Sequence, residues 1–192
     1  KPDRDRNFEE KIDTLNWALA GSRVEGGSAS IWPENEALVG REFVGSSNID
    51  TIRYAARSGI GLILERFGNG PERTPAARAG FQERQAASVR EYRRVFAETW
   101  GAERTPYVIT SRSTFPGATT AQALAEAGDA AARWNEYAGQ IGRTDLTQSR
   151  ADQLLSDNFA WGDAEALADD LLADPTIALT DELVLGIHPV TH

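Results

Sequence analysis

Apolar residues switch between two spacings along this chain, and the switching divides it into alternating helices and strands. Phe8, Ile12, Leu15 and Leu19 recur at helical spacing behind Asn7 as a cap, and Gly21 closes that first helix. Residues 23–35 are rich in glycine and serine and read as a loop, with Ile31 and Trp32 packing beneath it. Residues 38–44 give the first predicted strand. Ile49, Ile52 and Ala56 then form the inward face of a short helix, and residues 61–64 are a nearly all-apolar run of strand length. A long helix over 76–100 carries Phe81, Gln85, Val89, Tyr92 and Phe96 near one face. The third strand, 107–115, alternates through Thr110, Arg112 and Thr114. An alanine-rich helix over 118–139 follows, with Leu124, Ala131, Trp134 and Tyr137 as its bulkier contacts. Residues 144–157 predict a short helix through Leu146, Leu154 and Leu155; Ala164, Leu167 and Leu171 mark another, stopped near Pro175. Residues 183–187 are the fourth strand.

Strands that alternate with helices imply an α/β fold with a parallel sheet. Four such strands fit two architectures: a small doubly wound sheet, or half of an eight-stranded (β/α) barrel. Residues 42–67 are the most complete unit, reading strand, Gly-Ser-Ser-Asn loop, helix, glycine stop and second strand. Gly45 lets the backbone turn, and Ser47 or Asn48 caps the helix, with Asp50 three residues past Ser47 as a capping-box partner. Gly59 ends it in the left-handed conformation that glycine tolerates. The start of a helix also attracts anions, since unpaired N–H groups and the positive end of the dipole point outward there. Ser46, Ser47, Asn48 and Thr51 add possible donors around a phosphate. Capping alone accounts for small polar residues at that place, and on motif strength it is the favoured reading.

Composition narrows the functions. With 29 acidic against 20 basic residues and a net charge of −9, the chain lacks the basic stripe on which non-specific nucleic-acid binding depends. No apolar run approaches the length of a membrane span, so a cytoplasmic setting is expected. Cysteine and methionine are both absent, which excludes disulfides, thiolate metal sites and cysteine nucleophiles. Two histidines form no metal-ligand spacing and no Ser-His-Asp order. The opening Lys1-Pro2-Asp3-Arg4 resembles neither a signal peptide nor an ordinary start, which raises the expectation of a longer parent protein.

Val44-Gly45-Ser46-Ser47-Asn48, the helix end Tyr54-Ala55-Ala56-Arg57-Ser58-Gly59 and the strand Gly61-Leu62-Ile63-Leu64 together resemble the bacterial luciferase-like flavin monooxygenases. Residues 105–120 are similar to the seventh strand of that family's barrel and its following loop, and residues 181–189 to its last strand. The resemblance implies that the chain is the C-terminal half, strands five to eight, of a TIM-type (β/α)8 barrel. It forms a single partial domain over 1–192, with a helical insertion at about 118–175. It implies as partner an N-terminal half of the same barrel, with the full protein a homodimer. Reduced FMN, or alternatively a deazaflavin, is the implied cofactor, and oxidation of a small organic substrate with oxygen the implied reaction. A deazaflavin-dependent dehydrogenase and a non-catalytic flavin-binding subunit are the alternatives on the same barrel.

In such a barrel function sits at the C-terminal strand ends. The loop Gly45, Ser46, Ser47, Asn48 and Thr51 matches the family's flavin-phosphate contacts. Glu65 and Arg66 match positions near the flavin ring, although their charges depart from the smaller or aromatic residues common there, and they equally suit rim ion pairs. Residues 112–115 and His188 complete the candidates at these ends. His188 suits a general acid or base, or a structural hydrogen bond to a backbone carbonyl. The arginines at 84, 90, 93 and 94 read as a solvated helix face.

Overall fold

The computed structural model describes residues 2–21, 36–66, 74–144, 147 and 159–187. Five helices and five strands carry the described architecture: α1 (Pro2–Leu19), β1 (Phe43–Gly45), α2 (Ile49–Ser58), β2 (Gly61–Ile63), α3 (Pro75–Trp100), β3 (Val108–Pro116), α4 (Thr120–Gln140), β4 (Phe159–Gly162), α5 (Ala164–Leu172) and β5 (Glu182–Ile187). They fall into two compact units, Lys1–Leu64 with Ser88–Val108, and Glu65–Ala87 with Ile109–His192. The helix α3 thus gives its first half to the second unit and its last half to the first.

The first unit is built on a parallel βαβ crossover. Strands β1 and β2 pair with Phe43 opposite Gly61 and Gly45 opposite Ile63, and α2 makes the connection. Asn48 is its cap: the side-chain oxygen accepts from the N–H of Asp50 at 2.8 Å and of Thr51 at 3.4 Å. The capping-box expectation from Ser47 is therefore corrected, because Asn48 sits one residue nearer and serves both donors. Ile52 and Ala56 are buried as expected, but Ile49, on the first turn, stays 38% exposed. Gly59 adopts φ 71°, and a methyl group there would collide with the Arg104 guanidinium and the Trp100 ring. Only glycine suits both demands.

The last half of α3 covers this unit with Val89, Tyr92 and Phe96, each at most 2% exposed. The Tyr92 hydroxyl donates to the Ile60 carbonyl at 2.8 Å, and the Trp100 indole N–H donates to that of Ala56 at 3.0 Å. Residues 38–44 do not form one strand. Glu36–Leu38 is a turn of 3-10 helix, Gly40 turns at φ 77°, and only Phe43–Gly45 is extended. Nor does Asn7 cap α1, since the helix begins at Pro2. Asp13 of α1 accepts from the Tyr54 hydroxyl of α2 at 2.8 Å, and burial together with that carboxylate pushes the phenol up to about 12.

Outside the core, Glu91 accepts from Arg53 at 2.7 Å and from Arg94 at 2.8 Å. Hydrogen bonds from Arg94 and Arg53 hold its carboxyl down to about 2. A carboxyl depressed in the folded state contributes stability above its unfolded value and loses it as pH falls through the folded one. Glu91→Gln should therefore lower the urea midpoint at pH 7, and its difference from the wild type should vanish as pH approaches 2.

In the second unit β3 is the central strand. It pairs in parallel with β4 over residues 113–116 and with β5 over residues 109–114. The strand β4 lies within the stretch read as a helical insertion. Phe-Ala-Trp-Gly is too short to show a period, so its pairing with β3 decides the conformation. Alanines 123, 127, 131 and 138 form the buried stripe of α4, whereas Leu124, Trp134 and Tyr137 remain 37–51% exposed. Close approach of backbones needs the small residues inward, which reverses the expected roles of the bulky ones. The predicted helix at 144–157, Ile31, Trp32 and both histidines lie outside the described residues, apart from Thr144 and Thr147.

Candidate functional site

The loop at the C-terminal end of β1 brings together five of the sequence-predicted residues. Gly45 ends the strand, Ser46 to Asn48 turn the chain, and Thr51 lies on the first turn of α2. The Ser46 hydroxyl oxygen accepts from the Asn48 N–H at 3.0 Å, leaving its own O–H able to donate. Ser47 is exposed and Thr51 half-buried, and neither hydroxyl has a hydrogen-bond partner among the described residues. Three unused hydroxyl donors therefore stand at the positive end of a ten-residue helix, with Asn48 occupied as its cap. That donor set fits a phosphate; Asp50, on the same turn, is turned toward Arg53 at 3.4 Å.

Glu65 and Arg66 follow β2 and belong to the second unit. The Glu65 carbonyl accepts from the Gln85 side-chain amide at 2.8 Å. Burial pushes its carboxyl up, while the Arg84 charge opposes the shift. Arg66 is exposed, and its guanidinium lies against Gly186 of β5, where a Cβ would meet Cζ and Nη1 at 3.2 Å.

Arg112, expected as a polar position at a strand end, is structural. It is 5% exposed and donates from Nε to Asp174 at 2.7 Å, from Nη2 to Gln85 at 2.9 Å, and from Nη1 to Thr110 and the Ser111 carbonyl. Asp174 in turn accepts from the Thr176 N–H at 2.8 Å. Four of its five N–H donors are spent within the network, and each of its three nitrogens is engaged. No sequence signal singles out Asp174, an acid before a proline. Gly186 did leave one, since a glycine inside the apolar run Leu-Val-Leu-Gly-Ile marks a close approach.

A cavity of about 70 Å³ opens at the other end of β1 and β2, lined by Glu42, Phe43, Gly59, Tyr92 and Arg104 among others. Both Glu42 carboxylate oxygens are buried there without a partner among the described residues. The volume admits water but is far below the roughly 300 Å³ at which cofactor pockets begin. Among the described residues no acidic or histidine cluster can hold a metal ion, and no helix is long and apolar enough to cross a membrane.

Parallel strands joined by helices, with a donor-bearing loop after the C-terminal end of β1, define an α/β protein with a parallel sheet. Among solved structures, the chain is similar to apo-MsnO8, with a TM-score of 0.60 and 16% identity, covering 97% of this chain and 56% of that one. It is also similar to a coenzyme F420 dependent tetrahydromethanopterin reductase from Methanopyrus kandleri, with a TM-score of 0.57, 12% identity and 95% and 57% coverage. An EDTA monooxygenase (EmoA) from Chelativorans sp. BNC1 gives a TM-score of 0.55 at 14% identity, with 97% and 55% coverage. The chain thus spans a little over half the length of the structures it matches. No protein-family model and no curated protein matches the sequence.

Proposed function

We propose that this chain supplies strands five to eight of a TIM-type (β/α)8 barrel, and that the completed barrel is a luciferase-like flavin-dependent monooxygenase. It would use reduced FMN and oxygen to oxidise a small organic substrate. The observation that carries this reading is the set of three hydroxyl donors, Ser46, Ser47 and Thr51, with no acceptor among the described residues, at the start of α2 in a chain with this fold. The edge of β5 supports the half-barrel. Among the described residues it pairs only with β3, and Val184, Leu185 and Ile187 remain 42–62% exposed, on both faces of the strand. An N-terminal half of the same barrel would give that strand its second neighbour and cover those side chains.

Bound FMN would supply the redox chemistry, and the residues here would do the holding. The hydroxyls of Ser46, Ser47 and Thr51 donate to the phosphate, the α2 dipole favours its charge, and Asn48 fixes the loop that presents them. Glu65 and Arg66, after β2, stand where a strand's C-terminal end meets the reaction space. Replacing Ser46, Ser47 and Thr51 by alanine while keeping the Asn48 cap should weaken FMN binding about ten-fold or more, at unchanged helicity. Fluorescence quenching of FMN titrated with protein measures this, and equal affinity of variant and wild type would sink the reading. The F420-dependent neighbour favours a deazaflavin dehydrogenase as the second reading. Reoxidation of the reduced cofactor without oxygen would select it.

A further inference from the structure

We propose that Arg66 and Ser113, brought together over Gly186, form a subsite for the carboxylate or sulfonate group of the substrate. Register places them. Ser113 of β3 lies directly opposite Gly186 of β5, so the Ser113 side chain and the missing Gly186 side chain point to the same face. The Arg66 guanidinium lies over Gly186 on that same face, and neighbouring strands stand only about 4.8 Å apart, so Arg66 and Ser113 share one side of the β3–β5 pair. Alternation along β3 turns this face away from the side on which Arg112 meets Asp174 and Gln85.

Both polar groups are uncommitted among the described residues. Ser113 is 1% exposed, yet its hydroxyl has no hydrogen-bond partner among them, an arrangement that is costly unless something fills it. Arg66 has no hydrogen bond or ion pair among the described residues. The contrast with Arg112 is direct, for that arginine makes four hydrogen bonds and is paired with an acid. The acids around Arg66 are otherwise placed: Glu65 interacts with Arg84, and Glu182 lies four residues down β5, roughly 13 Å away along the strand. A guanidinium fork presents two parallel N–H groups to a planar oxyanion, and a neighbouring hydroxyl adds a third donor.

The assignment of the anion to the substrate rests on the proposed barrel, in which strand C-terminal ends face the reaction; anion binding itself does not. Acetate and methanesulfonate, titrated at constant ionic strength, should shift the Arg66 Nε–H resonance saturably. Arg66→Gln should weaken acetate about ten-fold or more at an unchanged thermal midpoint, and Ser113→Ala a few-fold at a midpoint no lower than that of the wild type. FMN and riboflavin titrations form the second arm. An unaltered preference for FMN in Arg66→Gln supports a substrate subsite, whereas loss of that preference assigns the arginine to the cofactor phosphate and overturns the proposal. An Arg66 resonance unmoved by either anion overturns it as well. Failure of the wild type to bind any flavin while acetate still binds would remove the flavin reading and leave the anion subsite standing.

Discussion

Replacing Asp174 by alanine should destabilise the protein by about 3–5 kcal/mol, read as a lower urea midpoint. The side chain of Asp174 is 1% exposed and that of Arg112 6%, so removing the carboxylate leaves a guanidinium buried without its counter-charge. Damage then spreads along the bonds. Gln85 joins Arg112 to the Glu65 carbonyl, and Asp174 holds the Thr176 N–H, whose own hydroxyl donates to Gln82 at 2.9 Å. Exposed pairs elsewhere, such as Arg94 with Glu98, contribute little because water screens them. Burial separates the two cases. The double replacement Arg112→Met, Asp174→Leu should recover most of the loss, since a buried pair is expensive mainly when halved. A double variant as unstable as Asp174→Ala would show that the network is needed as such.

Tyr92→Ala should cost a comparable amount, about 3–5 kcal/mol, by opening a cavity in the first unit. The ring is fully buried, lies 5.7 Å from Phe96 between centroids, and its hydroxyl holds the Ile60 carbonyl in the link between α2 and β2. Tyr92→Phe separates the contributions. It keeps the packing and removes only the hydroxyl, so its loss should be about 1 kcal/mol. If the phenylalanine variant falls as far as the alanine one, the hydrogen bond and not the packing dominates, and this account of the core is wrong.

Local chemistry made the central βαβ unit legible from the residues. Ile52 and Ala56 at helical spacing, a small polar cap and Gly59 at the helix end each act within a few positions, so their order along the chain is sufficient. The loop at Ser46, Ser47 and Thr51 was visible for the same reason. What failed were readings in which two local states lie close in energy. Leu38 and Val39 were apolar enough for a strand, yet Gly40 broke the run. Phe159 to Gly162 was too short to declare itself. On α4 the bulky side chains looked like the core, but alanine was what close packing required.

The amino-acid order by itself determined the alternation of helix and strand, the capped turn after Val44 and the absence of cysteine chemistry, because each depends on near neighbours or on composition. Only the tertiary structure decided that Arg112 is spent on Asp174, 62 positions away, while Arg66, uncommitted among the described residues, rests before Gly186, 120 positions away. Two arginines of equal intrinsic chemistry take opposite roles because burial and strand register, neither of which is a local property, fix which partners each can reach.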